Sequence, residues 1–320
     1  MRRAAALVAI PLLAAVAIAG CGSSSSSKPA AAAPTDTYKS VTVTGLFNKA
    51  PTVTIPKETG TGTLYTKTVI QGTGATLTSS EGMIGNYVAY DWSGKTSKLL
   101  GSSYTQGAPS IFVGSLLPGL ETALVGQKLG SRVLAVIPPK DAFGTSGNSS
   151  EGIGANDTLV FVIDIGSTFA TGSVPGTQAS NGGGALPTVT APAAGSTAGP
   201  TIKIPAKTTA PKTLQVKTLI KGKGAKVAKG NDIAVQYTGV IWRTGKVFDS
   251  SWARSTPLTT VIGEGQVIPG WDTGLVGQTV GSRVLLVIPP ADGYGSAGAS
   301  QAGINGTDTL VFVVDILAAS

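Results

Sequence analysis

Apolar and polar positions fall into short β-type runs along most of the chain. Thr213 to Ile220, Ile233 to Trp242, Val284 to Ile288 and Thr309 to Leu317 are rich in β-branched and aromatic residues. Short turns separate them, with turn signals at Ala291-Asp292-Gly293 and Asn305-Gly306, so each run predicts a strand. One stretch has a different character. Trp271 to Val276 follows Pro269-Gly270 and stops at Gly277, which predicts a short helix. Several strands and one short helix predict an α+β domain, with the helix packed on the concave face of an antiparallel sheet.

The pattern occurs twice. VGQKLGSRVLAVIPPKDAFG (Val125 to Gly144) returns as VGQTVGSRVLLVIPPADGYG (Val276 to Gly295), identical at 14 of 20 positions and offset by 151 residues. DTLVFV recurs at Asp157 and Asp308 with the same offset, and KTVIQGTGA at Lys67 matches KTLIKGKGA at Lys217 with an offset of 150. A near-constant offset predicts duplication of a whole domain. The copies are expected over residues 37–167 and 201–320. Residues 168–200, rich in Gly, Pro, Ala and Thr, are expected to form a flexible linker.

The first 36 residues have another composition. Arg2 and Arg3 precede an apolar stretch from Ala4 to Gly20 that is short for a bilayer span and broken by Pro11. Its end, Ile18-Ala19-Gly20-Cys21, resembles the bacterial lipobox, in which the cysteine receives diacylglycerol and becomes the new N-terminus. Residues 1–20 are therefore expected to be a lipoprotein signal peptide, Cys21 the lipidation site, and residues 21–36 a Ser/Ala/Pro tether. The expected location is extracytoplasmic, lipid-anchored at the cell membrane.

Composition removes several chemistries. The 320 residues include one Cys and no His, which excludes an intrachain disulfide, a Cys/His metal site and a triad with a histidine base. No phosphate loop or dinucleotide fingerprint is present. Neither a metal nor a cofactor is expected. The formal charge is +8, and eight lysines with no acid lie between Lys203 and Lys229. That run reads first as a solvated linker and edge strand, with attraction to anionic lipid or cell-wall polymer as the alternative. It lacks interleaved aromatics, so no nucleic-acid partner is expected.

In the second copy several separate motifs follow in order: Tyr237-Thr238-Gly239, Phe248-Asp249-Ser250-Ser251, GEGQVIPGW from Gly263 to Trp271, Ile288-Pro289-Pro290, Gly293-Tyr294-Gly295 and Thr309-Leu310-Val311-Phe312. Together they resemble the FKBP-type peptidyl-prolyl cis-trans isomerases, close to their secreted bacterial branch. The resemblance covers all of the second copy and, more loosely, the first. It implies two tandem domains, each an antiparallel sheet half-wrapped around one short helix, with an apolar pocket between sheet and helix. It implies a pocket of Tyr237, Phe248, Asp249, Leu258, Val267, Ile268, Trp271, Tyr294 and Phe312. Trp271 would be the floor, the Ile268 N–H and the Tyr294 hydroxyl would hold substrate carbonyls, Asp249 would bond Tyr237 and pair with Arg254, and Ile304 would cap the pocket. The implied partners are proline-containing unfolded or extended polypeptides and the macrolide ligands of the family.

The implied reaction needs no nucleophile. Resonance holds an X–Pro amide planar behind a barrier of about 20 kcal/mol. The planar amide is more dipolar than the twisted one, so a dry apolar pocket shaped to the twisted form lowers that barrier. The expected activity is isomerisation that assists folding of exported proteins. The alternative is a membrane-anchored peptide-binding chaperone or partner-binding module with little turnover. Two features depart from the family pattern: Leu258 stands where an aromatic is common, and SAGASQAGINGTD follows Gly295 in place of the usual Ile-Pro-Pro.

The first copy departs further. Aligned on Val-Ala-Tyr, Tyr90 corresponds to Tyr237, and Phe161 to Phe312. Phe248-Asp249 becomes Leu100-Gly101, Arg254 becomes Gln106, Trp271 becomes Leu120 and Tyr294 becomes Phe143. The stretch Gly114 to Pro118 is two residues shorter than Gly263 to Pro269. The scaffold survives while most polar pocket groups are gone, so activity is expected mainly in the second copy.

Overall fold

A computed structural model describes residues 36–114, 116–180, 185–192 and 198–320. The expected signal peptide, Cys21 and the tether up to residue 35 lie outside the described residues. No helix among the described residues is long and apolar enough to cross a membrane. The chain divides into two compact units. One comprises residues 36–79, 85–109 and 116–166, and the other residues 80–84, 110–114 and 167–320.

The second unit is built on a six-stranded antiparallel sheet. Its strands run in the order Gln215–Ile220, Arg283–Ile288, Leu310–Ala319, Asp232–Ile241, Val247–Ser250, and Leu258–Val261 also pairs with Asp232–Ile241. The two central strands, Asp232–Ile241 and Leu310–Ala319, are in register from Ile233↔Ala319 to Ile241↔Leu310. The one α-helix among its described residues, Pro269–Leu275, starts with Pro269 in its first turn, where a missing N–H costs nothing. The boundary signals Pro269-Gly270 and Gly277 placed that helix two residues late at its start and one late at its end, because proline and glycine are poor helix formers inside a helix but suit its first turn.

Both faces of this sheet are covered, which explains runs such as VLLVI and LVFVVDIL that do not alternate with polar residues. Ile233, Val235, Tyr237, Val284, Leu286, Phe312 and Val314 pack with Trp271 and Leu275 on the helix face. Val240, Trp242, Leu285, Val287, Val311 and Val313 pack on the other face against Val189 and Ile202. Those last two belong to a hairpin of Thr188–Thr190 and Thr201–Lys203.

This hairpin corrects the expectation of a flexible linker through 168–200. The described part of that stretch is anchored to the sheet. Arg283 and Asp315 form an ion pair, each about 1% exposed, with Nε to Oδ1 at 2.7 Å. Ser173 Oγ accepts from Arg283 Nη2 at 2.5 Å, and the Val174 N–H donates to Asp315 Oδ2 at 3.1 Å. Gln178 accepts from Arg283 and donates to the Val189 carbonyl at 2.7 Å. Composition misled because Gly- and Ala-rich segments lack side-chain burial signals, while a buried charge pair needs partners that backbone and small hydroxyls supply.

The first unit repeats the plan with sheet order Tyr65–Ile70, Arg132–Ile137, Thr158–Ala170, Glu81–Ser93, Thr96–Ser102 and the helix Pro118–Leu124. Its outer face is covered by Tyr38, Val41 and a hairpin of Thr42–Thr44 and Thr52–Thr54. Its buried Arg132–Asp164 pair is met by the Lys49 carbonyl at 2.7 Å and the Asn48 N–H at 2.6 Å.

Candidate active site

The site forms where the Asp232–Ile241 strand faces the helix. Strand alternation sends Tyr237 and Ile241 to the helix face and Val240 and Trp242 away from it. Gly239 lies two residues beyond Tyr237 and pairs in register with Asp249 of the next strand. A Cβ at position 239 would stand 2.8 Å from both the Phe248 and Phe312 rings. The glycine therefore lets those rings meet edge to face, with centroids 5.5 Å apart. Trp271 meets Tyr237 at 5.2 Å and Phe312 at 5.3 Å, both near perpendicular. Such edge-to-face contacts fix ring orientation as well as burying area.

The polar groups form one network at the wall. The Tyr237 hydroxyl donates to Asp249 Oδ2, and Arg254 Nη1 donates to Asp249 Oδ1. Arg254 Nη2 reaches the Tyr237 oxygen at 2.9 Å, and its guanidinium carbon lies 5.8 Å from the Tyr237 ring centre. The Ser250 N–H also donates to Asp249 at 2.8 Å. Burial, and then the bond to Asp249, push the Tyr237 hydroxyl up to about 12. Burial alone would raise Asp249, but the bonds from Tyr237 and Arg254 outweigh it and hold the carboxyl below the usual range. Asp249 thus stays ionised and bonded, which suits a group that positions the wall rather than one that accepts a proton.

These side chains line a cavity of about 370 Å³. All nine pocket residues implied by the resemblance lie on it: Tyr237, Phe248, Asp249, Leu258, Val267, Ile268, Trp271, Tyr294 and Phe312. Gln266 lines it too and was missed, although its place directly before Val267-Ile268 was the available signal. Arg254 stands behind the wall and acts through Asp249 and Tyr237. Ile304 does not line the cavity. It is 2% exposed and packs in the core with Trp271 and Phe312, held by a bridge to Ala299. Trp271 Nε1 is buried with no acceptor among the described residues. Tyr294 is 42% exposed, and its hydroxyl has no protein partner among them. Burial, then the Asp249 charge, raise that hydroxyl, so it remains a donor.

The first copy corrects one correspondence. Tyr87, not Tyr90, occupies the place of Tyr237. The Tyr87 N–H donates to Ser103 Oγ at 2.9 Å as the Tyr237 N–H does to Ser251 Oγ at 2.8 Å. Tyr90 packs on the opposite sheet face with Tyr38 and Trp92. The similar tripeptides are displaced by three residues, and an odd displacement reverses the face of a strand residue. With Tyr87 placed, Ala89 stands for Gly239 and Gly101 for Asp249. A Cβ at Gly101 would lie 3.1 Å from the Tyr87 hydroxyl oxygen, so Gly101 sits where the carboxylate stands in the second copy.

Comparison with known proteins decides the family. The family described as FKBP-type peptidyl-prolyl cis-trans isomerase matches residues 79–166 and 223–317. The chain belongs to this family. Among relatives, an FK506-binding protein of Streptomyces anulatus is 44% identical over 108 residues, which is 34% of this chain and 87% of that protein. An FK506-binding protein of Neisseria meningitidis is 43% identical over 104 residues, covering 32% of this chain and 94% of the relative. FK506-binding protein 2B of Rhizopus delemar is 49% identical over 88 residues, 28% of this chain and 42% of that protein. The FKBP-type chain thus carries the family fold twice, and peptidyl-prolyl isomerisation is the activity this membership supports.

Proposed function

We propose that the second domain is the catalytically competent isomerase and that it acts on proline-containing segments of unfolded, exported polypeptides. The observation that carries this reading is the aromatic cavity closed by the Tyr237–Asp249–Arg254 network, set beside a first copy with Gly101 and Leu120 in place of Asp249 and Trp271. A proline ring would rest on Trp271. Tyr237, Phe248 and Phe312 would form the apolar walls that favour the twisted amide over either planar isomer. The Ile268 N–H, which meets no protein acceptor among the described residues, and the Tyr294 hydroxyl are the donors available to the flanking carbonyls. No proton transfer is required, which agrees with an Asp249 held ionised.

The chain would work outside the cytoplasm, held to the membrane through lipid on Cys21. Unassisted X–Pro isomerisation takes tens of seconds, long enough to limit folding there. The first copy keeps the Phe161 ring, has Leu120 and Phe143 where the second has Trp271 and Tyr294, and lacks the carboxylate. That combination favours a second role for it, holding extended apolar peptide with little turnover. Macrolide ligands of the family would compete for the second cavity.

The test is proline-limited peptide isomerisation by the full chain, by Trp271→Leu and by Leu120→Ala. Turnover lost in Trp271→Leu and kept in Leu120→Ala supports the assignment. Turnover that survives Trp271→Leu and falls with Leu120→Ala would move the activity to the first copy. A wild-type chain that captures unfolded protein but turns over no peptide supports the chaperone reading instead.

A further inference from the structure

One wall of the cavity is the loop from Gly263 to Ile268; its Val267 and Ile268 pack on the core and Glu264 lies 3.9 Å from Lys229 at the surface, but few of its backbone groups are bonded. It carries Gln266, Val267 and Ile268, three residues of the cavity lining. Gly263 and Gly265 both take left-handed backbone conformations, with φ of 82° and 72°. Glycine tolerates that geometry but retains more freedom to leave it than any other residue. Among the described residues only two backbone N–H groups of this loop find a protein acceptor, and both find the same one. The Gly263 N–H donates to Asp272 Oδ1 at 2.6 Å, and the Gly265 N–H donates to Asp272 Oδ2 at 2.8 Å. One carboxylate thus holds two alternate amides, each on its own oxygen. The bonds are charge-assisted, the stronger class.

Asp272 follows Trp271 in the same helical turn. The residue that supplies the cavity floor is therefore joined through one peptide bond to the residue that holds the cavity wall. Among the described residues the first copy shows no such link. Its matching residue is Glu121, beside Leu120, and Glu121 makes no side-chain hydrogen bond among the described residues. The loop there is shorter by two residues and has no counterpart of Gly265, while Leu116-Leu117 stand before Pro118 as Val267-Ile268 stand before Pro269.

We propose that Asp272 is a positioning residue of the second site: its carboxylate clasps the Gly263–Ile268 loop and sets where the Gln266–Ile268 wall stands above Trp271. This rests on the reading that the second domain binds and isomerises prolyl peptides. Without the clasp the loop samples other backbone states, and the fraction of molecules with the wall in place falls. Apparent affinity for peptide falls by that fraction. Misplacement of a binding wall by a fraction of its width is enough for at least a tenfold loss, since about 1 Å costs on the order of a hundredfold.

The experiment uses the full chain with Asp272→Ala, Asp272→Asn and Asp272→Glu. It reads kcat/KM on a prolyl peptide, affinity for the same peptide, and the amide proton shifts of Gly263 and Gly265. Asp272→Asn keeps the shape but turns one acceptor into a donor, so it serves if Asp272→Ala does not fold. The expected result is about a tenfold loss of kcat/KM in the Ala and Asn variants, upfield movement of both glycine amides, and partial recovery in Asp272→Glu. A role limited to the helix dipole would lower stability and leave kcat/KM and both amide shifts unchanged below the unfolding transition, and that outcome overturns the clasp. Wild-type peptide binding without turnover, with affinity weakened in Asp272→Ala, sinks the isomerase reading and leaves the clasp supported.

Discussion

The Tyr237 hydroxyl donates to the Asp249 carboxylate across two paired strands, and the matching places in the first copy hold Tyr87 and Gly101. One copy of the scaffold has the bonded pair and the other has a tyrosine facing a glycine. The pair orients Tyr237 against Trp271, and it holds a carboxylate at the mouth of an otherwise apolar cavity without offering it as a base.

Removing that carboxylate tests the wall directly. In Asp249→Ala, Tyr237 and Arg254 lose their common partner, and Tyr237 is free to rotate from Trp271. Isomerase kcat/KM should fall about tenfold or more. The stability loss should stay near 1 kcal/mol, because both charged partners are partly exposed. Peptide turnover and urea unfolding of the same protein separate the two effects, and a stability loss with unchanged turnover would contradict the positioning role.

Replacing the floor by the first copy's residue should be costly in both respects. Trp271 is 3% exposed and meets two other rings. Trp271→Leu should cost roughly 2–4 kcal/mol, within the range for truncating a buried aromatic. Turnover should fall to the level left by the first copy. Equilibrium unfolding followed at the second unit, with peptide turnover alongside, provides the check.

Turnover should be insensitive to pH from about 6 to 9. Asp249 is depressed below the ordinary carboxyl range, so it is ionised throughout that window, and Tyr237 at about 12 stays protonated. The depressed carboxyl contributes stability that is present above its unfolded value, about 4, and is lost as pH falls through the lower folded value. Activity should therefore fall only in acid, below pH 4. A bell-shaped profile centred near neutrality would indicate a proton-transfer step that this site does not contain.

The first unit should respond to pH in the opposite sense. Asp91 is 6% exposed, its Oδ1 has no hydrogen-bond partner among the described residues, and burial followed by the charge of Asp157 pushes it up to about 6. A carboxyl raised in the folded state favours the protonated form. Its stabilisation is complete below the unfolded value near 4 and is lost as pH rises towards 6. Asp91→Asn should raise the unfolding midpoint of this unit at pH 7, by on the order of 1 kcal/mol, and flatten its dependence between pH 4 and 7. Thermal scans of wild type and variant at four pH values give the comparison.

The second domain should need the segment ahead of its first sheet strand. A fragment 201–320 lacks Ser173, Val174 and Gln178, leaving the buried Arg283–Asp315 pair short of three partners. It also loses Val189 from the sheet face. It should be less stable than fragment 168–320 by roughly 2–4 kcal/mol. Guanidinium unfolding of the two fragments decides, and equal midpoints would return residues 168–200 to the status of a linker.

By itself the sequence determined the duplication, the strand-rich class and the short helix, and its resemblance to the family implied nearly the whole second cavity. Those signals are local or comparative. Proline and glycine mark the helix, β-branched runs mark strands, and two copies of one scaffold expose where the side chains differ. Tertiary structure decided what depends on contacts between distant residues. It assigned Tyr87 to the place of Tyr237, because strand face follows register rather than tripeptide similarity. It placed Gln266 on the cavity, and it placed Ile304 in the core, since the turn after Gly295 folds by its own hydrogen bonds. It also attached a Gly- and Ala-rich stretch to the sheet through Arg283 and Asp315. A buried charge pair requires partners from somewhere in the chain, and composition carries no record of which backbone groups will supply them.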